Sequence, residues 1–217
     1  MYKTVVFDLD GTLLNTLTDL ADAGNRLCRK YGWPTHERQA YRYFVGNGIP
    51  KLVERLAPAD QRTPAVLEAA LADFKRDYGQ HLRDTTAPYP GIPQMLAKLN
   101  ANGVPPAVSS NKADALAKEV VKDYFGTQYF TIVRGQMTGV APKPAAEGTN
   151  ALLQALHADP ASTLYVGDSN VDVETAHNAN LPCCGAVWGF RTREELNAAG
   201  AEYLAENSDE LYDVIMK

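Results

Sequence analysis

Short apolar runs, each set off by longer stretches of helical periodicity, constrain the fold of this chain more than any other feature. They are Thr4-Val5-Val6-Phe7, Ala107-Val108, Thr131-Ile132-Val133, Thr163-Leu164-Tyr165-Val166 and Gly185-Ala186-Val187. Each is too short for a buried helix, and none alternates with polar residues as a strand with one wet face would. Strands buried on both faces belong to parallel sheets covered by helices. The pattern predicts an α/β fold with a Rossmann-like, doubly wound parallel sheet. Proline donates no ladder hydrogen bond, so the strand holding Ala107 is expected to start at or after Pro105-Pro106.

The runs are unevenly spaced. About 100 residues separate the first from the second, whereas a crossover between parallel strands needs a dozen to a few dozen. Within that gap Leu17, Leu20, Ala21, Gly24, Leu27, Cys28 and Tyr31 fall on one helical face, and Gly32 and Pro34 end the run. Val66, Leu67, Ala70, Leu71, Phe74, Tyr78 and Leu82 form a second such stripe. Stripes of this kind are core seams, so the gap predicts a small all-helical domain, residues 16–87, inserted after the first strand. The α/β core then comprises residues 1–15 and 88–217.

The net charge of −5 and the lack of any Lys/Arg cluster give no footprint for a nucleic-acid backbone. No apolar run is long enough to span a bilayer and no leader precedes the first strand, so a cytoplasmic protein without a membrane or nucleic-acid partner is expected. Monomer and homodimer both fit. Cys28, Cys183 and Cys184 match neither a disulfide framework nor a zinc site and read as structural thiols. His36, His81, His157 and His177 lack partners at metal-ligand spacing and read as structural too.

Chemistry concentrates where strands end. Asp8-Leu9-Asp10-Gly11-Thr12 follows directly on the first strand, and carboxylates two residues apart there project to one side. Ligands of open parallel sheets bind beyond the carboxyl ends of the strands, and Gly11 lets backbone approach a ligand closely. Downstream come Ser109-Ser110-Asn111-Lys112, Pro142-Lys143-Pro144 and Gly167-Asp168-Ser169-Asn170-Val171-Asp172, each after a strand or at a helix head. Asp8, Asp10, Asp168 and Asp172 would then share one pocket, and like charges 4 Å apart cost about 4 kcal/mol per pair at an effective dielectric near 20. Such a site calls for a cation. All-oxygen ligation suits Mg2+, with Asp8, Asp168 and the Asp10 carbonyl as ligands. Lys143 is the second compensating charge. Ser110 and the Asn111 amide, with Gly11 and Thr12, are assigned to phosphate. The expected reaction is attack by Asp8 on phosphorus, with Asp10 giving a proton to the leaving group and then taking one from water.

Asp8-Leu9-Asp10-Gly11-Thr12-Leu13, Ser110-Asn111-Lys112, Lys143-Pro144 and Gly167-Asp168-Ser169 with Asp172 resemble, in order, the four signatures of the haloacid dehalogenase-like hydrolases. The insert resembles the cap of the phosphoglycolate phosphatase and beta-phosphoglucomutase branch. Phe44-Val45-Gly46-Asn47-Gly48, Val187-Trp188-Gly189-Phe190 and Gly200-Ala201-Glu202-Tyr203 are similar to segments of the phosphatase group. The resemblance implies Asp8 as nucleophile, Asp10 as acid and base, Lys143 as charge clamp, Asp168 as metal ligand, and Asp172 supporting the metal through water or Lys143. It implies a Mg2+-dependent phosphatase of a small phosphate monoester, with 2-phosphoglycolate foremost. Gly46, Asn47 and Gly48 are expected to contact substrate, with Arg42 or Lys51 as partners of its carboxylate. Leu14-Asn15-Thr16 departs from the acidic residue and serine of many relatives. A phosphosugar mutase uses the same four motifs and is the main alternative. A phosphonatase would want Lys51 as a Schiff base, and a silent binding protein would not need the full catalytic set.

Overall fold

The computed structural model describes residues 1–217. Its strands are β1 (Thr4–Phe7), β2 (Leu14–Asn15), β3 (Ala87–Pro88), β4 (Pro106–Ala113), β5 (Ile132–Gln136), β6 (Thr163–Gly167), β7 (Cys183–Ala186) and β8 (Tyr203–Ala205). Six of them form one sheet in the order β5-β4-β1-β6-β7-β8, parallel throughout. Relabelled by their sequence within the sheet they run 3-2-1-4-5-6, the doubly wound order, in which the winding reverses beside β1. The fold is thus the α/β Rossmann-like sheet that the buried runs predict.

The chain divides into two compact units, Met1–Leu14 with Pro88–Lys217, and Asn15–Ala87. In the first unit the helices are α5 (Ile92–Ala101), α6 (Asp114–Phe125), α7 (Glu147–Leu156), α8 (Asn170–Asn178), α9 (Arg193–Ala198) and α10 (Ser208–Met216). Val6, Ala107, Tyr165 and Cys183 pack against Leu152 and Leu153 of α7, Val173 and Ala176 of α8, and Leu196 of α9. Their strand neighbours Val5, Phe7, Val108, Leu164 and Val166 are equally buried and point the other way by the two-residue period of a strand. Both faces of these central strands are therefore dry, which is why their runs do not alternate; β5, at the edge of the sheet, is only half-buried.

Three details differ from expectation. β7 begins at Cys183, two residues before the run Gly185-Ala186-Val187, because Cys183 and Cys184 serve as small apolar strand residues. Burial pushes the Cys184 thiol up to about 12 and that of Cys28 to about 11, as fits structural thiols. β8 escaped the pattern because Tyr203-Leu204-Ala205 is a three-residue edge strand with an exposed first residue. β4 extends through Ala113, so its polar second half lies inside the strand.

The second unit holds α1 (Leu17–Tyr31), α2 (Arg38–Phe44), α3 (Ile49–Leu56) and α4 (Pro64–His81). The two stripes become the buried sides of α1 and α4, and α3 buries a shorter stripe of the same helical spacing, Leu52, Val53 and Leu56, whereas α2 is too short for a readable period. Gly32, at φ 67°, ends α1 in the left-handed conformation that glycine adopts freely. Asn15 accepts from the Leu17 N–H at 3.4 Å, so the departure at that position keeps an oxygen facing the first turn of α1.

Asp19, on α1 and 2% exposed, ties the two ends of this unit together. Its Oδ1 accepts from the N–H and hydroxyl of Thr85, and its Oδ2 from those of Thr86, at 2.5–2.9 Å. Hydrogen bonds to a buried carboxylate are about twice as strong as neutral ones, and removing the acceptor strands two backbone donors. Asp19→Ala is expected to lower stability by about 2–4 kcal/mol in urea unfolding; an unchanged midpoint would mean water replaces the carboxylate at no cost.

Candidate active site

β1 delivers Asp8 to the end of the sheet while its backbone N–H still bonds to Val166 at 2.9 Å. The chain then turns tightly, with the N–H groups of Leu13 and Leu14 both bonding to the Leu9 carbonyl and that of Gly11 to Leu14. Gly11 sits at φ 92°, and a Cβ there would run into the Asp168 carboxylate. No other residue fits this turn.

Asp8, Asp168 and Asp172 are all buried, with carboxylate oxygens lying within 4.8 Å of one another. Lys143 Nζ lies 2.8 Å from Asp8 Oδ1 and 2.7 Å from Asp172 Oδ1, and also donates to the Tyr165 hydroxyl and the Ser109 carbonyl. Asp168 has no cation from the chain. It accepts from the Thr12 hydroxyl at 3.1 Å and from the Phe190 N–H at 2.7 Å. One ammonium among three buried carboxylates leaves the cluster short of positive charge.

The titration of these groups follows. Burial pushes the Asp8 carboxyl up to about 7, against the pull of Lys143 and with the help of Asp172 and Asp10. Asp168 is driven well above the carboxylate range by burial, then by Asp172 and Asp8. Burial alone would lower the Lys143 ammonium, but Asp172 and Asp8 outweigh it and hold it well above the ordinary lysine value.

Asp172 does two things. Its Oδ1 meets Lys143, and its Oδ2 accepts from the N–H and hydroxyl of Ser169, forming the capping box that opens α8. Gly167 makes room for it, since a Cβ there would overlap the Asp172 side chain. In β4 the register with β5 shifts between Ser109 and Ala113, a bulge of the kind that re-aims side chains near active sites. Ser110 Oγ accepts from the Lys112 N–H. The Asn111 side chain bonds at both its ends to the Lys143 backbone, at 2.9 and 3.2 Å, so it braces the lysine's loop.

A family model of the haloacid dehalogenase-like hydrolases matches residues 5–186. The chain belongs to that family. Among curated proteins similar to this haloacid dehalogenase-like hydrolase, phosphoglycolate phosphatase of Chromobacterium violaceum is 31% identical over 216 residues, covering 98% of this chain and 96% of that one. Phosphoglycolate phosphatase of Neisseria meningitidis serogroup A is 32% identical over 191 residues, covering 87% and 81%. The crystal structure of a presumed phosphoglycolate phosphatase from Lactobacillus delbrueckii subsp. bulgaricus superposes with a TM-score of 0.93 at 28% identity, covering 99% and 98%. This member of the family is accordingly an enzyme of the phosphoric monoester hydrolase class.

Several contacts within this hydrolase were not foreseen. Lys112 reaches Asp10 at 3.0 Å, and Trp188 Nε1 donates to the Thr12 carbonyl at 3.0 Å. A Cβ on Gly189 would overlap Asp168 and the Gly11 carbonyl, so Trp188-Gly189-Phe190 forms one wall of the Asp168 site. What this wall gives Asp168 is the backbone N–H of Phe190, which has no side-chain signature in the sequence.

Of the residues expected to contact substrate from the insert, Gly46 and Gly48 have φ of 104° and 83° and flank Asn47 between α2 and α3. Arg55 of α3 donates to the Phe44 carbonyl at 2.9 Å and to Asn47 Oδ1 at 2.8 Å, fixing the loop. Lys51 lies on the surface, paired with Glu54 at 2.7 Å. Arg42 lies in the last turn of α2. His81 and His177 do have acidic neighbours, Asp84 and Glu202, in exposed ion pairs that gather no third ligand. No helix is long and apolar enough to cross a membrane.

Proposed function

We infer that this enzyme is a Mg2+-dependent phosphatase of small phosphate monoesters, with 2-phosphoglycolate as its substrate, acting through an aspartyl phosphate on Asp8. The observation that carries the inference is the contact of Asp8 with Lys143 inside a cluster of buried carboxylates at the end of the sheet. The curated relatives named for phosphoglycolate support the choice of substrate.

The residues present fit a magnesium ion. They offer only oxygen, they are buried, and Asp168 lacks a positive partner, which a hard divalent cation would supply. Asp8, Asp168 and the Asp10 carbonyl would hold it, with Asp172 acting through Lys143. Bound there, it would offset the repulsion between the Asp8 carboxylate and a phosphate dianion and orient the phosphoryl oxygens.

The chain's own groups do the rest. Lys143 clamps Asp8 and a phosphoryl oxygen, while Ser110, Gly11, Thr12 and the backbone amide of Asn111, whose side chain is held on the Lys143 backbone, surround the phosphate. Asp8 Oδ attacks phosphorus as the P–O bond to the leaving group breaks, and Asp10 gives that oxygen a proton. Water then attacks the phosphoaspartate, Asp10 takes its proton, and the P–O bond to Asp8 breaks. Ester and water have become alcohol and phosphate. In the insert, Gly46, Asn47 and Gly48 contribute substrate contacts, with Arg42 or Lys51 as partner of a carboxylate.

The test is phosphate release from a panel of small esters, with Mg2+ and with chelator, scoring isomerised sugar phosphate as well. Release is expected only with Mg2+, with the highest kcat/KM for 2-phosphoglycolate. Isomerisation of glucose 1-phosphate without release would make the enzyme a mutase, and release unaffected by chelator would remove the metal from the mechanism.

A further inference from the structure

Lys112 is a buried cation near the phosphate end of the sheet with no role so far. It follows Ser110 and Asn111 in β4, and its side chain is 3% exposed. A lysine so deeply buried is costly unless its ammonium meets a carboxylate. Its partner is Asp10, with Nζ at 3.0 Å from Oδ1 and 3.3 Å from Oδ2. Contact with both oxygens holds the carboxylate group in place at the end of the lysine. The same residue's backbone N–H bonds to Ser110 Oγ at 3.2 Å. Lys112 thus connects the acid on the turn after β1 to a phosphate-binding hydroxyl on β4, two segments about 100 residues apart in the chain.

We propose that Lys112 is a positioning residue that sets the Asp10 carboxylate for its proton transfers at the leaving-group oxygen and the attacking water. This rests on the phosphatase mechanism above. Lys143 stands apart, since it serves the nucleophile, and the two lysines each hold a different carboxylate of the same turn.

A leaving group's need for a proton separates this role from mere support. An alkoxide must be protonated as it departs, whereas nitrophenolate departs as a stable anion. Single-turnover release should therefore be compared for the best alkyl ester of the panel and for p-nitrophenyl phosphate, in wild type, Lys112→Met and Lys112→Arg. Lys112→Met is expected to slow alkyl ester cleavage by about 10²-fold, in the range of general acid catalysis, and nitrophenolate release by no more than a few fold. KM should change little for either substrate, and Lys112→Arg should recover part of the loss. An equal loss on both esters would overturn the proposal and leave Lys112 a structural ion pair, as would no loss on either. If Lys112→Met does not fold, Lys112→Gln carries the same comparison. Asp10→Asn is the control for the underlying mechanism: if it shows no dependence on leaving group, the acid is misassigned, and that failure is distinct from a selective effect of Asp10→Asn that Lys112→Met does not share.

Discussion

Asp8→Asn should abolish phosphate release while leaving the protein folded. The amide has nearly the shape of the carboxylate but no nucleophilic oxygen, and loss of an attacking group costs on the order of 10⁴-fold or more. A steady-state assay with Mg2+ checks this, and activity above a few per cent of wild type would place the nucleophile elsewhere. The same variant reports on charge. Asp8 titrates at about 7 in the folded protein against an ordinary 3.8, chiefly because it is buried. A carboxyl raised in this way holds its proton in the folded state over a range where the unfolded chain has lost it. Its stabilising contribution is complete below about pH 4 and is lost as pH rises through about 7. Asp168 shifts in the same direction. Metal-free wild type should therefore weaken across that window, and Asp8→Asn should make the decline shallower in urea unfolding with chelator present. An unchanged slope would show that Asp8 is solvated in the metal-free protein.

Lys143→Met should be the most destabilising change in the site. It leaves Asp8 and Asp172 buried without their common ammonium, and breaking a buried ion pair from one side costs about 3–5 kcal/mol. That is a large share of the total stability of a domain. Activity should fall by about 10³-fold or more, since the clamp on the nucleophile and the phosphoryl oxygen goes with it. Stability and activity can be separated by adding Asp172→Asn, which removes one stranded charge. The double variant should regain part of the lost stability and none of the activity. Recovery of both would mean that Lys143 serves only to neutralise Asp172.

What could be read from the sequence divides along physical lines. The strands β1 and β6 were legible because residues such as Val5, Val6 and Leu164 are buried on both sides and leave an unbroken apolar run. Carboxylates that meet through the ends of parallel strands were legible together, since Asp8 and Asp168 each follow such a run. Partnerships set by side-chain reach were not. Nothing in the order of residues says that Lys112 turns to Asp10 and Lys143 to Asp8, or that Asn111 spends its amide on the Lys143 backbone. The edge strand β8 and the helix α2 were lost for a simpler reason, being too short for any period to show.

The Asp19 clasp bears on how such a chain can fold at all. Val5 must find Pro106 across the entire insert, a separation of roughly 100 residues. Closing a flexible loop of that length carries an entropy that grows with the logarithm of its length. Once Asp19 has gathered Thr85 and Thr86, the insert's two ends are adjacent and its interior no longer counts as slack. The loop that β1 and β4 must close then shrinks to roughly 35 residues, easing the pairing by about 1 kcal/mol. A detour that enters and leaves at one point is nearly invisible to the sheet around it, so helices can be lengthened or exchanged there without rewriting the order in which the strands assemble.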